Sequence, residues 1–287
     1  MTATGYVRPA SIAEAVAARA AHPDWIVLCG ATDLMVEAPL RPAPVGVVDV
    51  WALAELCGIA EVDGGAVRIG AATPWRDVVT SPLIAARAPI LAAAAREIGA
   101  LQIQARGTIG GNVGTSSPVG DSLPVLLALD ATVELASPRG TRRVPYRDYP
   151  TGYRTTALAA DELIVAITIP APHPGARQLW RKVGTRRAQS ISKIMAAALL
   201  RVEAGRFVEA RIGLGAVANR PIRAAGAEAA IVGAPVGEAT ADAAAAALAA
   251  ELTPITDVRS TAPYRLATVQ QVVRRFVLEA SSPSSPD

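Results

Sequence analysis

The chain has 287 residues, 51% of them hydrophobic, and a formal net charge of +3 at pH 7. This small charge, spread along the chain, argues against nucleic-acid binding, and an aromatic content of 4% offers no stacking platform for single strands. No apolar run is long enough to cross a bilayer, and the first residues lack a basic segment followed by an apolar one. We therefore expect a cytoplasmic protein that does not bind membranes.

The first elements predict a small unit of helix and strands. Ser11 and Glu14 have the spacing of a capping box and predict a helix that ends near Pro23. Residues 25–29 form a short apolar run typical of a buried strand, and residues 45–50 predict a second strand. Together these elements indicate a βαβ-like opening unit.

A second unit begins near residue 60. Thr73 is predicted to be a helix N-cap, with Pro74 in the first helical position, and Gly99 is predicted to end a later helix. Apolar periodicity predicts the other elements of this unit, which are strands over residues 66–71, 131–136 and 163–169 and helices over residues 89–98 and 123–129.

The proline-rich segment at residues 170–175 is the best candidate for a domain boundary. Beyond it the sequence predicts a β-hairpin from residues 191–202 and 207–217, and helices over residues 237–252 and 264–278. We therefore expect an N-terminal domain over residues 1–172, with subdomains at about 1–58 and 59–172, and a C-terminal α+β domain over residues 176–280. Residues 281–287 form a polar tail that we expect to be disordered.

Two glycine-containing segments carry the strongest functional signal. Residues 108–114 read Thr-Ile-Gly-Gly-Asn-Val-Gly and are followed at residues 117–122 by Ser-Pro-Val-Gly-Asp-Ser, while residues 29–33 read Cys-Gly-Ala-Thr-Asp. Glycine allows successive backbone N–H groups to turn toward an anion such as phosphate. Two such segments predict a ligand with a diphosphate that is held from two sides.

Simpler interpretations of these residues stay open. The segment over residues 108–121 could be an ordinary glycine-rich turn. Asp121 could be the N-cap of the helix that follows it instead of a ligand-binding group. Asp33 could serve only to stabilise its own loop.

Other functional signals are weaker. Residues 213–218 match the pattern G-x-G-x-x-A, but the glycines lie inside a predicted strand and no helix follows, so we reject a dinucleotide fingerprint here. With 2 cysteines and 2 histidines, the chain offers too few ligands for an iron–sulfur cluster or a zinc site of its own. No nucleophile–base pair is evident, which favours electron transfer by a bound cofactor over hydrolysis.

The segments at residues 30–34, 108–112 and 117–124 together resemble the FAD-binding subunit of molybdenum hydroxylases, the medium chains of the xanthine dehydrogenase and carbon monoxide dehydrogenase type. The resemblance continues through residues 152–154, 161–164, 182–187, 191–217 and 257–265, and so covers nearly the whole chain. It implies an α+β fold, in which a two-subdomain FAD-binding domain of the vanillyl-alcohol oxidase (PCMH-like) type precedes a smaller α+β C-terminal domain.

The resemblance also implies roles for individual residues. Asp121 would accept a hydrogen bond from FAD, and Ile98, Ile164 and Lys182 would lie beside the cofactor. Lys182 could instead be a solvent-exposed lysine at a strand edge. The flavin would carry the chemistry, so no catalytic residue is implied. The diphosphate and ribityl part of FAD would be wrapped by Val27, Leu28, Cys29, Gly30, Ala31, Thr32, Asp33 and Leu34. A second cradle would consist of Thr108, Ile109, Gly110, Gly111 and Asn112.

The implied partners are a large molybdenum-binding subunit and a small subunit with 2Fe-2S clusters, with electrons passing through FAD to NAD⁺ or another acceptor. Ala31 departs from the glycine or polar residue common in the family, and Gln189 and Ser190 are neutral where some relatives have acidic residues. Two other functions stay open. One is a self-contained FAD oxidoreductase of the vanillyl-alcohol oxidase type, and the other is a non-catalytic nucleotide-binding assembly protein.

Overall fold

The computed structural model describes residues 5–40, 42–186 and 189–280. Its N-terminal part contains the elements β1 (Gly5–Val7), α1 (Ile12–Ala21), β2 (Ile26–Leu28), α2 (Leu34–Glu37) and β3 (Gly46–Asp49). The strands form a parallel sheet in the order β1-β3-β2, which confirms the opening unit and adds a first strand that the sequence did not reveal. The capping box is also confirmed, because the Ser11 hydroxyl accepts a hydrogen bond from the Glu14 N–H at 3.2 Å.

The middle part contains a second sheet flanked by short helices. The strands of this middle part are β4 (Ile59–Val62), β5 (Ala66–Gly70), β6 (Thr132–Ser137), β7 (Gly140–Pro145), β8 (Pro150–Gly152), β9 (Thr155–Thr156) and β10 (Leu163–Ile169). Its helices are α3 (Trp75–Thr80), α4 (Pro82–Arg87), α5 (Pro89–Arg96), α6 (Leu101–Gln104), α7 (Ile109–Thr115) and α8 (Leu123–Ala128). Antiparallel pairing joins five strands in the order β4-β5-β10-β6-β7, while β8 pairs with β9.

Two predictions in this part are wrong in detail. Pro74, and not Thr73, is the N-cap of α3. The buried Thr73 hydroxyl instead accepts a hydrogen bond from the Gly58 N–H at 3.0 Å and donates one to the Gly58 carbonyl at 3.1 Å. The segment after Thr108 was expected to be a loop, but it forms α7, because Thr108 is extended and its hydroxyl caps the Gly111 N–H at 3.1 Å.

The C-terminal part is a four-stranded antiparallel sheet with three helices on it. The elements are β11 (Arg177–Val183), β12 (Ile194–Glu203), β13 (Arg206–Gly215), β14 (Ile222–Arg223), α9 (Ala225–Ile231), α10 (Glu238–Glu251) and α11 (Ala262–Glu279). The predicted hairpin is confirmed as β12 and β13. Gly213 lies within β13, and a Cβ there would lie 2.0 Å from the Pro124 carbonyl, so this glycine permits close packing of α8.

The core explains how these layers hold together. One cluster of buried apolar side chains lies between the second sheet and its helices, and another lies between the C-terminal sheet and α9, α10 and α11. A third lies between α1, the first sheet and strands β6 and β10 of the second sheet. Ala197 and Leu199 of β12 belong to the first cluster, while Ala196 and Ala198 belong to the second, so this strand is buried on both faces. The mixed α+β class is confirmed. None of the helices in the described ranges is long and apolar enough to span a membrane.

Candidate functional site

The fold brings the two glycine-containing segments into contact. A Cβ atom at Gly30 would lie 1.8 Å from the carbonyl oxygen of Arg106, two residues before the cap of α7. At the other end of α7, Thr115 donates from Oγ1 to the Asp33 carboxylate at 3.3 Å. The first loop (residues 29–34) therefore lies alongside α7, as expected for two segments that hold one ligand.

The first loop has the backbone of an anion cradle. Ala31 has a left-handed φ of +62°, and Asp33 is right-handed with φ −86° and ψ −44°. Within residues 5–40, 42–186 and 189–280, the N–H groups of Ala31, Thr32, Asp33 and Leu34 have no acceptor. Successive N–H groups in a turn that combines left-handed and right-handed residues can form a concavity that binds anions. The first loop can therefore hold a phosphate group through its main chain.

The second segment, residues 108–112, differs from the expected cradle, because the backbone N–H groups at the start of α7 already donate hydrogen bonds to protein acceptors. Ile109 donates to the Thr73 carbonyl at 3.2 Å, Gly110 to the Ala71 carbonyl at 2.8 Å, and Asn112 to the Thr108 carbonyl at 3.1 Å. The Gly111 N–H is bonded to the cap hydroxyl. The inward-pointing N–H groups predicted for this segment are thus not found, since the residues begin a helix instead of a loop.

The glycines of α7 have two separate uses. Gly110 is buried, and a Cβ there would lie 2.6 Å from both Cβ and O of Ala71, so it permits close packing of the helix. Gly111 and Gly114 are exposed and lie three residues apart, hence on one face of the helix. A Cβ at Gly114 would only touch Ile164 Cδ1 at 3.5 Å. This face of α7 is therefore bare of side chains and bordered by Ile164.

A buried ion pair lies close to α7. Lys182 Nζ donates to the Asp121 carboxylate at 2.8 Å and to the Glu97 carbonyl at 3.2 Å, and the side chains of Lys182 and Asp121 are only 5% and 13% exposed. The fully buried Ser192 donates to the other Asp121 oxygen at 2.9 Å. Burial raises the pKa of Asp121, and the Lys182 ammonium and the hydrogen bonds oppose that rise.

This cluster, which we call the Asp121 cluster (Asp121, Lys182 and Ser192), settles two open alternatives. Ser122, and not Asp121, occupies the N-cap position of α8, so the capping interpretation of Asp121 is wrong. Lys182 does lie on the edge strand β11, but its burial rules out a solvent-exposed lysine. The Ser122 hydroxyl donates to Asn112 Oδ1 at 2.7 Å and thereby links the cluster to α7.

The remaining predicted residues surround these features. Val27 and Leu28 lie in β2, which leads into the first loop, and Val27 is 39% exposed. Burial raises the pKa of the Cys29 thiol, although a hydrogen bond with Thr108 opposes this. Ile98 is half-buried next to Glu97, whose carbonyl binds Lys182. Arg186 lies within the described residues, whereas Arg187 and the tail at residues 281–287 lie outside them.

Sequence reasoning assigned no role to two residues that the structure adds. Arg154, in the turn between β8 and β9, lies with Nη1 3.7 Å from the Asp33 carboxylate and 2.5 Å from that of Glu37. Asp33 therefore does more than stabilise its own loop, since it also contacts α7 and this turn. Ser192 was missed because it is a lone hydroxyl with no motif around it. In the part of the chain that the structure describes, no cluster of histidine, cysteine or acidic residues could hold a metal ion.

Comparison with known proteins places these features in a family. Residues 2–172 match the family described as the FAD binding domain in molybdopterin dehydrogenase, and residues 180–280 match the C-terminal domain of CO dehydrogenase flavoprotein. The carbon monoxide dehydrogenase medium chain of Afipia carboxidovorans is 36% identical over 279 residues, which cover 96% of each chain. The xanthine dehydrogenase FAD-binding subunit of Escherichia coli O157:H7 is 33% identical over 279 residues, or 96% of this chain and 95% of that one.

A solved structure leads to the same family. A chain of the carbon monoxide dehydrogenase from Hydrogenophaga pseudoflava superposes with a TM-score of 0.91 and 34% identity, over 96% of both chains. The fold predicted from the resemblance is therefore confirmed. From the family matches, the relatives and this superposition, we conclude that the chain belongs to the FAD-binding (medium) subunits of the molybdenum hydroxylase family of oxidoreductases.

Proposed function

We propose that FAD binds along the first loop and α7, and that the chain passes electrons from partner subunits through this FAD to an acceptor. One observation supports this location of the FAD site. The first loop presents four consecutive backbone N–H groups that have no acceptor within the described residues. A diphosphate needs such donors, and the left-handed φ of Ala31 is typical of main-chain turns that bind anions. When bound, FAD can link one-electron clusters to a two-electron acceptor.

The other residues of the site suit the rest of the cofactor. The face of α7 at Gly111 and Gly114 leaves room for a flat group, and Ile164 borders this face with apolar surface. The half-buried Ile98 would pack on the same cofactor. Lys182 places a positive charge in a site largely closed to water, where charges interact strongly. Its role would be to favour the negatively charged reduced flavin. Asp121 holds the ammonium in place and would in addition accept a hydrogen bond from the cofactor.

The proposed partners follow from the relatives. Several are named as medium chains or medium subunits, including that of carbon monoxide dehydrogenase, which implies a larger and a smaller chain in the same complex. We propose that this chain assembles with a large molybdenum-binding subunit and a small 2Fe-2S subunit, and delivers electrons to NAD⁺ or another acceptor. The free thiols of Cys29 and Cys57 agree with a reducing compartment, so we place this complex in the cytoplasm.

The same proposal includes the domain limits. An N-terminal domain over residues 1–172, with subdomains at about 1–58 and 59–172, would contain the three-stranded and five-stranded sheets and the β8–β9 pair. A C-terminal domain over residues 176–280 would contain the four-stranded sheet. The separate sheets and the separate family matches support this division.

A self-contained oxidase of the vanillyl-alcohol oxidase type is less well supported. It would need a catalytic base beside the flavin. His22 instead stacks on Trp25 with ring centroids 3.9 Å apart, and the exposed His173 contacts the carbonyl of Pro174. A non-catalytic nucleotide-binding protein disagrees with a family of oxidoreductase subunits.

The proposal is tested on the purified full-length chain. It should be yellow, and denaturation should release FAD that is identified by its mass. The substitution Gly114→Ala adds one methyl group to the bare face of α7 and should weaken FAD binding in a fluorescence titration. Gly226→Ala, in the distant helix α9, meets only the flexible Glu251 side chain at 3.4 Å and serves as the matched control. A colourless chain that ignores added FAD would refute the proposal.

Two further measurements test the proposed partner subunits and the proposed electron acceptor. Metal analysis and mass spectrometry of everything that co-purifies should reveal molybdenum, iron and two additional chains, whereas a lone metal-free chain would contradict the proposed assembly. The acceptor is tested by mixing the reduced FAD-loaded chain with NAD⁺ in the absence of oxygen. Formation of NADH identifies NAD⁺ as an acceptor, whereas its absence excludes NAD⁺.

A further inference from the structure

The segment over residues 257–265 is part of the family resemblance, yet it lies in the C-terminal domain, outside the proposed FAD site. Its last residue, Arg265, lies in the first turn of α11 and is only 2% exposed. A buried guanidinium requires partners, because desolvation of an unpaired charge is costly. The partners of Arg265 therefore indicate what it does.

Arg265 binds three groups from three parts of the chain. Its Nη2 donates to Asp257 Oδ1 at 2.7 Å, and its Nη1 donates to the carbonyls of Lys193 at 2.6 Å and Ala216 at 3.0 Å. Asp257 is itself held, because Oδ1 also accepts the N–H groups of Arg259 at 2.9 Å and Ser260 at 3.1 Å. The guanidinium is thus fixed on one side and directed at two backbone carbonyls on the other.

Both carbonyls belong to segments that lead to Asp121. Lys193 directly follows Ser192, whose hydroxyl donates to Asp121 at 2.9 Å. Ala216 donates its N–H to the Pro118 carbonyl at 2.9 Å, and Pro118 lies three residues before Asp121 in the same segment. Ala216 also has a left-handed φ of +63°, a conformation that an alanine keeps only when its surroundings hold it.

We propose that Arg265 is a positioning residue for the FAD site, which holds the Ser192 hydroxyl and the Pro118–Asp121 segment in register through the Lys193 and Ala216 carbonyls. This proposal rests on the proposed function of the Asp121 cluster. Arginine suits the task because its planar fork donates in several fixed directions at once. A lysine of similar length would supply a single ammonium, which cannot reproduce the spread of these three contacts.

The experiment uses the full-length chain and FAD as the probe. Arg265→Lys should raise the Kd of FAD at least about tenfold, the lower end of what outer partners of a ligand shell contribute at metal sites. It should also change the absorbance spectrum of the bound flavin. Asp257→Asn removes the carboxylate that fixes the guanidinium. It should shift the Kd and the flavin spectrum in the same direction as Arg265→Lys, and it provides a second variant if Arg265→Lys does not fold.

Two controls separate positioning from general stability. Val273→Ala lies in the core of the same helix and lowers stability without touching the Asp121 cluster, and Arg274→Met removes a partly exposed arginine from that helix. Both should leave the Kd and the flavin spectrum close to those of the unsubstituted chain. If Val273→Ala weakens FAD binding as much as Arg265→Lys at an equal loss of Tm, the role of Arg265 is merely structural and the proposal is overturned.

A double-mutant cycle tests the route through Ser192. If Arg265 acts through that hydroxyl, the loss caused by Arg265→Lys should be smaller in a Ser192→Ala background than in the original chain. Full additivity, or an unchanged Kd in Arg265→Lys, would overturn the positioning role while leaving FAD binding by the unsubstituted chain intact. Failure of the unsubstituted chain to bind FAD would instead overturn the proposed function, and this proposal with it.

Discussion

The buried ion pair between Lys182 and Asp121 makes a prediction that does not require the cofactor. In the FAD-free chain, Lys182→Met removes the ammonium but leaves the Asp121 carboxyl in a site where its side chain is only 13% exposed. Breaking a buried pair by removing one partner costs about 3–5 kcal/mol, because a buried charge is left without compensation. For a domain of this size we expect Tm to fall by about 10 °C.

The same variant should show a pH dependence with a defined sign. Burial raises the pKa of Asp121, and Lys182 is the main group that opposes this, so Lys182→Met should raise that pKa further. A carboxyl whose pKa is higher in the folded than in the unfolded state adds most to the free energy of unfolding at acidic pH. This stabilisation is lost as the pH rises through the folded pKa. The stability deficit of Lys182→Met, measured by urea unfolding, should therefore be larger at pH 8 than at pH 5.

The controls for this prediction lie in the same chain. The double variant Lys182→Met with Asp121→Leu removes both charges and should recover most of the lost stability, since well-packed apolar replacements of buried pairs are often neutral. Arg139 is 65% exposed in its pair with Asp161, so Arg139→Met should leave Tm almost unchanged. If Lys182→Met lowers Tm as little as Arg139→Met does, the ion pair is not buried as described. The same follows if the stability losses of the single variants Lys182→Met and Asp121→Leu add up to the loss of the double variant.

Three further predictions concern the backbone and the C-terminal domain. Ala31→Gly should stabilise the FAD-free chain or leave its Tm unchanged, because the left-handed φ of +62° costs alanine about 1 kcal/mol, partly offset by the greater entropy of unfolded glycine. Gly110→Ala should lower Tm strongly, since the added Cβ would lie 2.6 Å from Ala71, and a normal Tm would refute the packing of α7. Partial burial raises the pKa of Asp257, but hydrogen bonds led by the Arg259 N–H outweigh this and lower it to about 2. The stabilisation is therefore present above the ordinary value of 3.8 and lost as the pH falls through about 2, and acid unfolding of Asp257→Asn should lack this dependence.

The parts of the fold that the sequence predicted well depend on local chemistry. The start of α1 was predicted because the Ser11 hydroxyl and the Glu14 N–H are neighbours in any helix that begins there. Strand β10 was predicted over its full length because six of its seven residues are apolar, with Thr168 as the exception. Neither depends on where the rest of the chain lies.

Tertiary contacts decided what the sequence could not. Helix α7 contains three glycines, which disfavour a helix, and it is held by bonds such as that from the Gly110 N–H to the Ala71 carbonyl. Asp121 could not be assigned from its neighbours because Lys182 and Ser192 are 61 and 71 residues away along the chain. The candidate site was thus located by its motifs, but the roles of its residues depend on contacts between segments that are distant in the sequence.

The central claim is that the main chain of the first loop holds the diphosphate of FAD. A crystal structure of the full-length chain with FAD tests it most directly. We expect phosphate oxygens within about 3 Å of the amide nitrogens of residues 31–34, and the flavin ring near Lys182 and Ile164. Density for FAD elsewhere on the chain, with those four amides facing water, would contradict the account.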